Sequence, residues 1–392
     1  MRSSSARFFG IIAVLLVVIS TAPAQETAQA RLLRQFRLQS AASFSIDYYE
    51  GFKLVTVKTP WPGAKEAFSY LLYDKGGPKP PATIFPDATR IASPVSRVVS
   101  FSTSYIPSIV AIGETDSILG LDSASWVYDP GVRARIKAGS AIEVTRNAVP
   151  DIEKIIALNP DAIFTYGMGN EWDSHPKLIE AGLPVIIDGE WNESDPLARA
   201  EWSVFIAAFY NKEDQAETRF QKVRANYLSL KARAAAAVQA SAAAQASGPR
   251  VLNNGPFQGT WYVSAGDSFM AHMLADAGAS YLWADTRGTG ALALTVESVF
   301  EKALKADVWI NPSLEAKKIS DVIALDRRFG DLPVVKTGNV WNDNLRLSEA
   351  GGNDYFESAV IRPDEVLADL VAIFHPEILP DHHFVWYRKL SE

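Results

Sequence analysis

The chain has 392 residues and a formal net charge of −7 at pH 7, with 38 basic against 45 acidic side chains and no local basic cluster, which excludes a binder of phosphate backbones. It contains no cysteine, so no disulfide framework supports it, and the size of its cores alone must hold the fold. At roughly 150 residues per domain, that length accommodates about two domains.

The first residues read as a leader rather than as structure. Arg2 and Arg7 form a basic start, Phe8 to Ile19 is a short apolar run, and Ala22-Pro23-Ala24 is a small-residue cleavage site, with Ala28-Gln29-Ala30 offering a second. The apolar run is too short for a membrane span. The expectation is an exported, soluble chain, and without cysteine a free periplasmic protein rather than a lipoprotein. Gln25 to about Ser40 is polar and reads as weakly ordered or a short helix. From Phe44 the apolar period changes to two, at Phe44, Ile46 and Tyr48 and again at Phe52, Leu54 and Val57, with Glu50-Gly51 between. That is a β-hairpin, and a third strand follows around Phe68 to Tyr73. Residues 25–96 therefore read as a small β-rich addition.

At Arg97 short apolar strands begin to alternate with helices. Val98 to Phe101, Ser117 to Leu121, Ala162 to Tyr166 and Pro184 to Asp188 read as strands. Tyr105 to Ile112, Ile152 to Leu158 and Pro176 to Ala181 read as helices. Such alternation predicts a parallel α/β unit over 97–195. Pro196 to Tyr210 is a helix leading into a much longer one, Glu213 to about Ala246, which has no Gly or Pro and is rich in strong helix formers. Asn211 is its candidate cap, Glu213 and Asp214 suit the positive end of its dipole, and Ser247-Gly248-Pro249 stops it. Ala216, Phe220, Val223, Tyr227 and Leu230 form one apolar stripe. A surface helix or half a coiled coil would show the same stripe.

What flanks the long helix favours a connector. Over 248–392 the strand–helix alternation returns, with strands expected at Arg250 to Asn253, Tyr281 to Trp283, Asp307 to Ile310 and Val334 to Lys336. Two phrases echo in order. Pro150 to Ile156 leading to Pro160 to Phe164 is matched by Val296 to Phe300 leading to Ala306 to Ile310, and Leu183-Pro184-Val185-Ile186 by Leu332-Pro333-Val334-Val335. The fold class expected is α/β: two Rossmann-like lobes with parallel sheets, joined by a rigid helical connector over 196–247, plus the N-terminal β-hairpin addition. A helical connector resists hinging, so modest lobe movement is expected. Ile378 and its neighbours, from Pro376 to Trp386, read as a segment wrapping along the surface.

An exported, cysteine-free, bilobal chain with one spanning helix resembles the substrate-binding proteins of ABC importers for iron–siderophore complexes and cobalamin. The resemblance runs from about Arg97 to the C-terminus and rests on the order of elements and on phrases such as Ile155 to Ile163. It implies a binding protein, not an enzyme, that captures an organic metal complex and delivers it to a permease as a monomer. A ferric siderophore comes first, then cobalamin or another corrinoid, then haem. It also implies that Glu153 and Glu297, matching in the paired phrases, dock on permease arginines. A dipole-favoured glutamate at a helix start would recur by fold logic alone.

Ligands of open parallel sheets bind beyond the carboxyl ends of the strands. In the first lobe those positions carry Ser102, Thr103, Tyr105, Tyr166 and Trp191. In the second they carry Trp261, Tyr262, Trp283, Arg287, Asn342 and Arg346, with Tyr355 ahead of the last helix. Trp126 serves equally well as cleft wall or as core. The five histidines, His175, His272, His375, His382 and His383, avoid these loops and read as surface or capping residues, so no protein-bound metal and no cofactor are expected. The remaining readings are a periplasmic hydrolase or a sensory binding protein. Against the enzyme stands the lack of a Gly-x-Ser-x-Gly elbow, a P-loop or a His-Glu-x-x-His run.

Overall fold

The computed structural model describes residues 30–243 and 248–392, and the expected leader, residues 1–24, lies outside them. The alternation from Phe44 onward does form a hairpin, Phe44–Tyr49 against Phe52–Val57, closed through Gly51, whose φ of +81° suits only a residue without Cβ. It belongs to a larger element than expected. Five strands, Leu32–Gln35, Phe44–Tyr49, Phe52–Val57, Phe68–Asp74 and Thr89–Ser93, lie side by side in chain order, antiparallel except for the last pair. Leu32–Gln35 is therefore a strand, not a loose or helical stretch. As an edge strand exposed along its whole length it has no buried face, and so no period to read.

Alternate side chains of this sheet point at the helix Pro196–Ala208. The Phe44 ring lies 4.8 Å from Trp202 and 5.6 Å from Phe205, and Tyr70 lies 5.7 Å from Phe209. The sheet thus shares one core with the first lobe. Two buried carboxylates fasten it. Glu201 accepts the N–H groups of Gln39, Ser40 and Ala41 at 2.7, 2.8 and 2.7 Å, and Glu213 accepts from Lys53 Nζ at 2.5 Å and the Tyr48 hydroxyl at 2.9 Å.

The first lobe holds a five-stranded, fully parallel sheet in the order Val185–Ile187, Ala162–Thr165, Val98–Ser100, Ile118–Leu121, Ile142–Glu143. Its central strands are buried on both faces, which is why they read as unbroken apolar runs. The second lobe repeats the plan as Ser280–Tyr281, Arg250–Asn253, Val308–Ile310, Val340–Asn342 and Arg388–Lys389, with only the last strand antiparallel. Two expectations fail in detail here. Val334–Lys336 lies in a short helix, Pro333–Lys336, because Pro333 fits a first helical turn and the strand forms one step later. The closing segment does not stay on the surface. Trp386 and Tyr387 are fully buried, and the Asp369 carboxylate receives the N–H groups of Val385, Trp386 and Tyr387, steering the chain into the sheet.

The long helix is described over Glu213–Ala243, about 46 Å at 1.5 Å per residue. Its stripe is buried at Ala216, Phe220, Val223 and Tyr227. Along that stripe it packs on Pro196–Ala208 at the first lobe and on Pro363–Phe374 in the second. The Tyr227 hydroxyl donates to Asp276 at 2.8 Å and Asn226 to Asp364 at 3.0 Å. Asn211 is not its cap. It sits at φ +58° in the turn between the two helices, and its side-chain oxygen accepts from Ser93.

Candidate functional site

Four loops at the carboxyl ends of the first-lobe strands meet around a cavity of about 380 Å³. The turn after Val98–Ser100 is fixed by Ser102, whose Oγ accepts the N–H of Ser104 at 3.2 Å, while Ser100 Oγ donates to the Ser102 carbonyl at 2.7 Å. The second loop brings Asp122 and Trp126. The third brings Tyr166 and Met168, held where Asp173 accepts the N–H groups of Met168 and Gly169 at 2.8 Å each. The fourth is a turn, Glu190–Asn192, ordered by Asp188 accepting the Glu190 N–H at 2.9 Å. Arg199 completes this cavity from the helix Pro196–Ala208, and Phe356 faces it from the second lobe.

Two further cavities adjoin it and share part of its wall. One, of about 760 Å³, shares Thr103, Trp126 and Phe356 and adds Leu314, Glu315, Lys317 and Asn353. The other, of about 290 Å³, shares Arg199 and Phe356 and adds Phe269 and Tyr355. Together they form a cleft between the lobes. Its first-lobe wall exposes large apolar side chains that a fold would otherwise bury: Trp126 is 63% exposed, Met168 53% and Tyr166 41%.

Electrostatically the floor of the first cavity is a compact buried group. Arg199 is ion-paired with Glu190, and its guanidinium lies 4.6 Å over the Phe269 ring. Asp188 beneath them is fully buried, and burial together with the Glu190 charge pushes its carboxyl well above the usual range. Burial likewise raises the Tyr105 hydroxyl, with the charges of Asp188 and Glu190 adding to it. Asp122 is also raised, by burial and then by Glu143.

At one side of the cleft the lobes are clasped. Glu357 of the second lobe accepts the N–H groups of Tyr128 and Asp129 at 2.8 Å each. Arg346, bonded to Asp354 at 2.6 Å, lies 5.1 Å from the centre of the Tyr128 ring. A Cβ on Gly352 would stand 2.4 Å from the Trp126 carbonyl oxygen, so only glycine lets the backbones approach this closely.

Of the positions expected from the sequence, Ser102, Thr103, Tyr105, Trp126, Tyr166 and Trp191 all line the first cavity, and Tyr355 lines the third. The second lobe corrects the rest. Trp261 is fully buried, 5.5 Å from Trp309 in a stack, and Trp283 is buried beside Tyr281. Asn342 is buried, donating to the carbonyls of Ser313 and Ala316 at 2.6 and 2.9 Å. Such side chains have no surface left for a ligand. Tyr262 and Arg287 are exposed but line none of the three cavities, and Arg287 pairs with Asp267 at 3.4 Å. Arg346 serves the clasp.

Sequence reasoning passed over Asp122, Asp188, Arg199 and Phe356 as site residues. Arg199 did leave a signal: with Glu201 it is one of two charges in an otherwise apolar helix. Phe356 left none, because an isolated aromatic before a helix reads as packing.

Glu153 and Glu297 occupy equivalent places, in the first turns of Ile152–Leu158 and Val296–Ala303. A helix that precedes a parallel strand starts on the side of the strand carboxyl ends, so both carboxylates lie toward the cleft side of their lobes. Glu153 is exposed; Glu297 accepts from Arg328 at 3.1 Å, and its own N–H and then Arg328 hold it below the usual carboxylate range.

Among the described residues no group of three His, Cys, Asp or Glu side chains is placed to hold a metal ion. Of the histidines expected at the surface or as caps, His383 is exposed and His375 is the C-cap of Pro363–Phe374, but others are drawn into the interior. His175 is buried 5.3 Å from Trp61, His375 is buried with Nε2 3.2 Å from the Gly278 carbonyl, and His382 lies 2.6 Å from Asp369. No helix among the described residues is long and apolar enough to cross a membrane.

A family model described as periplasmic binding protein matches residues 98–344. An uncharacterized lipoprotein of Methanocaldococcus jannaschii is 30% identical over 309 residues, covering 75% of this chain and 69% of that one. Its name is at odds with the expectation of an unlipidated chain drawn from the lack of cysteine. Among solved structures, a periplasmic heme binding protein from Pseudomonas aeruginosa aligns with a TM-score of 0.53 at 22% identity, over 72% of this chain and 93% of that one. A possible iron-binding, periplasmic solute-binding protein from Staphylococcus epidermidis aligns with a TM-score of 0.51 at 18% identity, over 71% and 98%. These two likenesses are of fold. The family match begins just past the N-terminal sheet, which is an addition to the shared plan.

Proposed function

The chain belongs to the periplasmic binding protein family, and from that premise we propose that it captures an organic metal chelate between its lobes and hands it to an ABC importer. It is a binding protein, not an enzyme. The observation that carries the proposal is the cleft itself: exposed aromatic side chains at the strand carboxyl ends of one lobe face Phe356 of the other across adjoining cavities. Aromatic walls with a few fixed polar groups suit a large, partly apolar ligand. A ferric siderophore is the first choice, with cobalamin or another corrinoid second and haem third. The chelator supplies the metal ligands, so the protein needs no metal-binding cluster of its own.

The rest of the reading follows the family. Residues 1–24 direct export and are removed, and the mature chain works as a monomer in the periplasm. Glu153 and Glu297, one per lobe on the cleft side, dock on basic pockets of the permease and fix orientation more than they add affinity. Glu297 would exchange Arg328 for a permease arginine.

Trp126 and Trp191 line the cavity, so tryptophan fluorescence tests the proposal. Titration with ferric siderophores, their iron-free forms, cobalamin and haem, corrected for ligand absorbance, is expected to give saturable quenching by one class. Silence across that panel would overturn the chelate-binding reading.

A further inference from the structure

The charged side chains lining the first cavity are Asp122, Glu190 and Arg199. The one cation is already engaged, since Arg199 is paired with Glu190 and has Asp188 buried beside it. One Asp188 oxygen receives the Glu190 N–H; the other is buried with no hydrogen-bond partner among the described residues. Asp122 is different. Its backbone is committed to Ser100 and Thr145, but among the described residues its carboxylate has no hydrogen bond and no ion pair. The adjoining cavity is balanced, with Glu315 against Lys317. The binding surface therefore offers an unpaired carboxylate, aromatic faces from Trp126 and Tyr166, and no free cation in the first cavity. Partly desolvated carboxylates repel an anion brought beside them, and aromatic faces attract a cation.

Resting on the chelate-binding reading, we infer that the cleft selects metal complexes that are uncharged or positively charged and rejects polyanionic ones. The chemistry of chelators divides along that line. Three singly charged hydroxamates balance a ferric ion, and a free ammonium on the chelator makes the complex cationic. Three doubly charged catecholates leave the complex a trianion, and haem brings two propionates. Trihydroxamates and corrinoids fit the cleft; tricatecholates and haem do not.

The test is a fluorescence titration of the purified protein with four probes: a ferric trihydroxamate bearing a free ammonium, a neutral ferric trihydroxamate, a ferric tricatecholate and cobalamin. The cationic trihydroxamate is expected to bind at least about tenfold more tightly than the tricatecholate. Asp122→Asn is expected to narrow that ratio by about threefold or more, and a thermal melt and far-ultraviolet circular dichroism spectrum matching the unsubstituted protein show that the variant is folded. Tighter or equal binding of the tricatecholate, or a ratio indifferent to Asp122→Asn, overturns the charge selection and leaves the chelate-binding reading standing. Silence toward all four probes overturns the charge selection, and silence toward haem as well overturns the chelate-binding reading.

Discussion

At the scale of single residues, what decides the behaviour of this cleft is burial of carboxylates. Burial pushes Glu357 up to about 8 against the pull of the two N–H groups it accepts, and pushes Asp343 up to about 7. Both folded values lie above those of an unfolded carboxyl, so the folded state binds more protons between about pH 4 and about pH 8. Their contribution to stability is complete below that window and is lost as pH rises through it. Asp307, held below the usual range by Arg250, works oppositely, stabilising above its unfolded value and losing that contribution in acid. The melting temperature is therefore expected to fall between about pH 5 and about pH 8, and Glu357→Gln to flatten that fall. Thermal melts of both proteins across that range check it; parallel curves would remove Glu357 as a source. A second expectation concerns the wall. Trp126→Ala should weaken ligand binding about tenfold with little change in melting temperature, since the ring is 63% exposed and packs little.

The first-lobe wall was legible because parallel α/β order places any residue following a buried apolar run at the cleft. The same rule misplaced Trp261 and Trp283, since a tryptophan near a strand end looks alike in sequence whether it faces the cleft or the core. For Trp261 the deciding fact is tertiary: it stacks on Trp309 and meets Phe329 edge-on.

At the scale of elements, the long helix was readable from its stripe and its freedom from Gly and Pro, and four of the five stripe positions are buried, with Leu230 half-buried. The N-terminal sheet was only partly readable. Its hairpin alternates, but its outer strand has no buried face, and Thr89–Ser93 pairs in parallel across a Pro/Gly loop that separates it from any local signal. The short apolar run at Val334 was ambiguous between helix and strand, and Pro333 settled it as a helix. The sheet also covers Trp202, Phe205 and Phe209, which carry the back of the helix that holds Arg199. A chain shortened to begin at residue 97 would expose these three aromatics, each worth about 1.5–3 kcal/mol when buried. It is expected to aggregate or lose near-ultraviolet circular dichroism. A soluble, cooperatively melting truncation would show that the sheet is dispensable to the fold.

At the scale of the whole molecule, the ties between the lobes include the long helix along the back, the Glu357 clasp at one side of the cleft and the contact of His272 with the Ser194 carbonyl. Small-angle scattering of ligand-free and ligand-bound protein is expected to show a radius of gyration differing by no more than about 1 Å. A larger closure would mean that the helix bends or the clasp releases.

The stiff tie has a consequence for traffic rather than for affinity. If occupancy barely alters the outer shape, a receptor that grips the protein by Glu153 and Glu297, as proposed above, meets nearly the same surface on full and empty carriers. Unloaded molecules then compete for the same berth, and net uptake depends on the proportion of carriers loaded as well as on their number.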